Sequence, residues 1–141
     1  MDYYFSKTYM ARIFLALTLE KSFNDQIIEI KKDLKSNLLK DANISWLTND
    51  QHHLTVYFVG EMEPEQLSQM NEDLYKLNLT GYSRTIDITA ISFFPNESSQ
   101  VLSAIVKPDS HLNSLYKEVE KIVVNIGFGS ELKDYRPHIT L

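Results

Sequence analysis

Two rhythms of apolar residues alternate along this chain, and the alternation repeats. Short apolar runs or period-two segments, which suit strands, are followed by segments with apolar residues every three or four positions, which suit amphipathic helices. Residues 11–18 (ARIFLALT) are a nearly continuous apolar run, which predicts a buried strand. A helix is predicted from about Ser22 to Lys40, with Ile27, Ile30, Leu34 and Leu38 on its apolar face and the lysines at 31, 32 and 35 on a solvated one. Polar residues 41–50 surround Trp46 and read as a loop. A strand at 53–59, ended by Gly60, precedes a helix that opens at Pro64 and carries Leu67, Met70, Leu74 and Leu77 as its stripe.

The second half follows the same scheme. Residues 84–92 alternate, with Ile86, Ile88 and Ala90 on one parity and Thr85, Asp87 and Thr89 on the other. Pro95 to Ser99 marks a turn and 100–107 the returning strand. Ser110 is placed to cap a helix bearing Leu112, Leu115, Val119, Ile122 and Ile126, with Gly127 as its stop, and a last strand begins near His138. The expected architecture is a single α+β domain over residues 1–141, built of two similar lobes. Each lobe is expected to be an antiparallel sheet backed by helix, with a cleft between them.

Composition narrows the function. The chain has no cysteine, so disulfides, thiolate metal sites and cysteine nucleophiles are excluded. A net charge of −5 disfavours sequence-blind binding along nucleic acid, although it leaves room for a pocket that holds one phosphate or an RNA end. No apolar run approaches the roughly 20 residues of a membrane span, and the start of the chain has no secretory pattern. A cytoplasmic protein with no membrane partner is therefore expected.

The chemistry-bearing residues lie on two predicted strands. One carries His53-Leu54-Thr55-Val56 and the other His138-Ile139-Thr140-Leu141. Side chains two apart on a strand share a face, so each strand presents an imidazole and a hydroxyl together. Tyr57 continues the His53 parity, Leu54, Val56 and Phe58 are expected to face the core, and Arg136 shares the parity of His138. Two such strands side by side would surround one point with two imidazoles and two hydroxyls. A neutral imidazole can accept a proton from a nucleophile, and a protonated one can supply the leaving oxygen. Threonine hydroxyls can hold non-bridging phosphate oxygens, and Arg136 and Arg12 can add charged contacts. That set suits phosphodiester cleavage without a metal or other cofactor.

Several residues take plainer readings. His52 has core-side parity and is read as structural, and His111 as a solvated residue in a helix's first turn. Trp46 is read as a lid over the core ahead of a base-stacking platform. Tyr57 suits ordinary packing as well as the cleft, and Arg12 a surface charge as well as a phosphate contact.

The chain also resembles the 2H phosphoesterase superfamily, in particular the LigT/ThpR-like RNA 2′,3′-cyclic phosphodiesterases. ARIFLALTL resembles the family's opening strand, and WLTNDQHHLTVYFVGE its first motif block. FFPNESSQVLSAIV resembles the middle hairpin, and YRPHITL the second block. The resemblance implies His53 and His138 as the catalytic pair, Thr55 and Thr140 as phosphate-binding hydroxyls and Arg136 as a substrate contact. It implies opening of a 2′,3′-cyclic phosphate, on an RNA 3′ end or a small nucleotide, to a 2′-phosphomonoester. Some members also join RNA ends through a 2′,5′ bond. A module that binds a nucleotide or RNA end in the same cleft without turnover is the alternative. The middle hairpin lacks the tryptophan often found near Leu102-Ser103. Relatives continue past the second motif, so a C-terminally shortened domain is expected, with the 136–141 strand as a bare edge open to dimer formation.

Overall fold

A computed structural model of the chain describes residues 10–79, 84–131 and 133–141. Its elements run in the order β1 (Ala11–Thr18), α1 (Lys21–Ser36), β2 (His53–Met62), α2 (Pro64–Lys76), β3 (Ile88–Phe93), β4 (Leu102–Val106), α3 (Ser110–Asn125) and β5 (His138–Thr140). The fold is α+β, with the strands joined in one antiparallel sheet of order β1-β2-β5-β4-β3. The two sheets expected are one: the halves β1-α1-β2-α2 and β3-β4-α3-β5 share a continuous sheet, joined at β5. That strand pairs with β2 through Leu54–Ile139 and with β4 through Ala104–Ile139. The expectation of a bare C-terminal edge is thereby corrected. β4 occupies the side of β5 that sequence reading left open, so β5 offers no free ladder for a dimer.

The helices cover one face of the sheet. Leu54, Leu102, Ala104, Val106, Ile139 and Leu141 pack there with Ile27 of α1 and Leu112 of α3. Val56 and Tyr57 meet Leu115, Tyr116, Val119 and Val123 of α3, and Met62 meets Met70 of α2 and Ile122 of α3. Burying each such aliphatic side chain contributes about 1.5–3 kcal/mol. The opposite sheet face receives the side chains of the other parity, and the two His-x-Thr motifs lie on it.

Several sequence expectations shift. β1 is an edge strand, not a fully buried one: Ile13, Leu15 and Leu17 turn inward, while Phe14 is 47% exposed. Gly60 does not end β2. It takes a positive φ of 100° where the β1–β2 register slips between Ile13 and Phe14, and the strand continues to Met62. A second slip, between Leu15 and Ala16, breaks the alternation of β2. Val56 and Tyr57 are consequently both buried, and Phe58 is exposed. A similar slip between Ile88 and Ala90 turns Ile91 and Phe93 toward the core, with Ala90 exposed.

On α1 the inward stripe runs through Ile27, Lys31 and the partly buried Leu34, whereas Ile30 is exposed, as is Leu38 beyond the helix end. Lys31 therefore leaves the solvated face assigned to it. The cap of α3 is Asp109, whose carboxylate accepts from the Nα–H groups of His111 and Leu112, with Ser110 the first helical residue. Gly127 follows the C-cap with φ +111°, as a helix stop requires. Among the described residues no helix is long and apolar enough to cross a membrane.

Candidate active site

The site begins with register. β2 and β5 are adjacent and antiparallel, with Leu54 opposite Ile139. One step either way along the ladder places His53 opposite Thr140 and Thr55 opposite His138. Opposed side chains stand on the same face with Cβ atoms about 4.5–5.5 Å apart. Each imidazole is therefore next to the threonine of the other motif across the ladder and next to its own along the strand. Leu54 and Ile139, each essentially fully buried, anchor both motifs from beneath.

The two imidazoles are held alike. His53 Nδ1 lies 2.7 Å from the carbonyl oxygen of Gln51, and His138 Nδ1 lies 2.8 Å from that of Arg136. A carbonyl only accepts, so the proton of each neutral ring sits on Nδ1, and Nε2 keeps its lone pair for the open face. Both carbonyls belong to the residue two positions before the histidine. An aromatic ring also packs on each: Phe14 on His53, with centroids 5.0 Å apart, and Phe94 on His138, with centroids 3.7 Å apart.

The surroundings differ. Burial holds the His138 pKa below the ordinary histidine value, the Arg136 carbonyl partly offsets it, and the positive charges of Arg136 and His53 add to the lowering. His138 is accordingly biased toward the neutral form. The Arg136 guanidinium lies 4.7 Å from the Phe94 ring centroid, so arginine, phenylalanine and histidine form one group. Thr55 and Thr140 are half-buried. Among the described residues, neither hydroxyl is used in a hydrogen bond to protein. Ser103, opposite Thr140 on β4, is fully buried and its Oγ has no hydrogen-bond partner among the described residues.

The remaining sequence candidates fall elsewhere. Tyr57 is not a cleft residue. The slip in β2 turns it into the core, 2% exposed, where its hydroxyl accepts from the Glu131 N–H and its ring meets Tyr116. Trp46 packs against the core beneath the sheet, with the Lys35 ammonium 5.0 Å from its ring, and so is not a base platform at the histidines. Arg12 is exposed on the edge strand with its guanidinium 5.2 Å from the Phe58 ring. His52 is buried on the core side.

Sequence reading missed Phe14, Phe94 and Ser103. A bulky aromatic on the outward parity of ARIFLALT was a signal for Phe14. Phe94 follows β3 in the connection to β4, where parity gives no direction. Among the described residues no group of three or more histidine, aspartate or glutamate side chains is arranged to hold a metal ion.

Known proteins resemble the chain in sequence and in fold. The family profile of the LigT like phosphoesterases matches residues 17–102. The RNA 2′,3′-cyclic phosphodiesterase of Methanocaldococcus jannaschii is 26% identical over 130 residues, covering 92% of this chain and 69% of the relative. That of Thermotoga maritima is 26% identical over 132 residues, covering 92% and 68%. Among solved structures, a protein of Thermus thermophilus superposes with a TM-score of 0.72 at 21% identity, over 93% of this chain and 73% of that one. Escherichia coli LigT complexed with 3′-AMP gives 0.68 at 21% identity, over 94% and 72%.

Proposed function

Given that the chain belongs to the LigT like phosphoesterase family, we propose that it is a metal-independent phosphodiesterase that opens a 2′,3′-cyclic phosphate to a 2′-phosphomonoester. The observation that carries this reading is the matched pair of imidazoles. Each is held through Nδ1 by a backbone carbonyl, which leaves Nε2 free of that bond, and the β2–β5 register sets both threonines on the same sheet face as the imidazoles. The substrate is an RNA 3′ end or a small cyclic nucleotide, which accords with the names of the relatives.

One division of roles accords with the surroundings of His138. His138, disfavoured as a cation by burial and by Arg136, is the general base and takes a proton from the attacking water. Oxygen adds to phosphorus as the P–O3′ bond breaks. Protonated His53 delivers its Nε2 proton to the departing O3′, leaving a free 3′-hydroxyl and a 2′-phosphate. Thr55 and Thr140 donate to the non-bridging oxygens, where negative charge accumulates, and Arg136 adds a charged contact.

The test is a panel of 2′,3′-cyclic mononucleotides and short RNAs with a 2′,3′-cyclic end, assayed with a chelator present and with products assigned by phosphorus NMR. A 2′-phosphomonoester is expected. Binding without turnover across the panel would instead make the cleft a nucleotide- or RNA-end-binding module.

A further inference from the structure

Lys31 is 2% exposed on the buried side of α1, and among the described residues no carboxylate forms an ion pair with it. A buried ammonium is costly unless its protons are all used. Here three acceptors surround it: the Leu47 carbonyl oxygen, Asn49 Oδ1 at 3.2 Å and His52 Nε2 at 3.2 Å. An ammonium has three protons and no lone pair, so His52 Nε2 must be the accepting, unprotonated nitrogen. The single ring proton then lies on His52 Nδ1, 2.9 Å from Asn24 Oδ1, and the Asn24 amide nitrogen donates to the Asn49 carbonyl at 3.1 Å. Each proton of the ammonium and the single ring proton of His52 thus meets an acceptor, under one assignment.

The segment gripped in this way serves both motifs. Its Gln51 carbonyl orients His53, and its Leu47 N–H donates to the Leu141 carbonyl at 2.7 Å, next to Thr140. We propose that Lys31 and His52 are positioning residues for the reaction, fixing the 47–52 segment and through it the His53 tautomer and the end of β5. The proposal rests on His53 being catalytic. It predicts loss of turnover with substrate binding retained, because neither residue reaches the open face.

Lys31→Met keeps the length and removes the protons. Expected is a fall in kcat on the order of 10- to 100-fold, the scale of a misplacement of about 1 Å, with KM little changed. His52→Gln keeps an acceptor for Lys31 and a donor for Asn24, so it should retain kcat within a few-fold. The nitrogen-15 signals of the His53 ring, which report its tautomer without any assay, should show Nδ1–H in the wild type and in His52→Gln. They should show a mixture of tautomers in Lys31→Met. If the wild type turned over no cyclic phosphate, the functional reading would fall, while these signals would still decide the positioning role. If Lys31→Met does not fold, Asn24→Ala leaves the ammonium in place and should show the same split between kcat and KM. A folded Lys31→Met with wild-type kcat and an unchanged His53 tautomer would overturn the proposal.

Discussion

Leu54 lies directly opposite Ile139 on the β2–β5 ladder, and the antiparallel register sets Thr55 across from His138. The hydroxyl on one motif is thus placed to hold a phosphate that the imidazole of the other motif acts upon. Removing a donor to a developing oxyanion typically costs on the order of 10²–10³-fold in kcat. Thr55→Val and Thr140→Val should each approach this loss with unchanged circular dichroism and melting temperature, since both hydroxyls lack a protein partner among the described residues. A loss confined to KM would mean that the hydroxyls bind ground state and transition state alike.

His53→Ala and His138→Ala should each remove on the order of 10²–10⁴-fold of turnover. Acid and base act in one proton circuit, so the double variant should be little worse than either single one. Steady-state kinetics of the three variants check this. Wild-type kcat/KM in His138→Ala would exclude the mechanism.

Turnover should persist in excess EDTA. The charge stabilisation proposed comes from threonine hydroxyls, Arg136 and an imidazolium. Complete loss with EDTA, restored by zinc or manganese, would require a metal to be part of the chemistry.

Stability should decline in mild acid. His52 and His138 both have pKa values held below the ordinary value, in each case chiefly by burial. Lys31, His53 and Asp50 also act on His52, the first two lowering its pKa and the last raising it. An unfolded histidine titrates near about 6.5, so below that pH the unfolded chain binds more protons than the folded one. Folding free energy attributable to these groups is therefore fully present above about 6.5 and is lost as pH falls toward their folded values. Urea midpoints measured between neutral and mildly acidic pH should fall, and His52→Gln should flatten the slope. An unchanged slope would mean that His52 ionises freely in the folded state.

Much of the fold was legible because period is a local property. The strand at Ala11–Thr18, the helix opening at Pro64 and the stop at Gly127 all follow from short stretches of sequence. What eluded the sequence was non-local. A register slip against β1 exchanges the roles of Tyr57 and Phe58, and nothing within HLTVYFVG announces it. Lys31 reads as a surface lysine until the 47–52 segment folds over it with three acceptors. The place of β5 between β2 and β4 likewise depends on pairing between distant segments, although the motif it carries could be read directly.

Phe94 offers the most discriminating test of how His138 is tuned. Its ring lies on the imidazole, with centroids 3.7 Å apart, and excludes water from that side. Burial is the largest cause of the lowered His138 pKa, and the Arg136 charge is a smaller one. Phe94→Ala should admit water, raise the His138 pKa and move the acid limb of the kcat/KM profile to higher pH, because the base must be neutral to act. It should also lower kcat, since the ring no longer holds the imidazole in place. Arg136→Gln should move the same limb in the same direction but less far, and should raise KM through the lost phosphate contact. Paired pH–rate profiles with NMR titration of His138 separate the two contributions. An acid limb that stayed in place in Phe94→Ala would show that the ring does not set the pKa of the base.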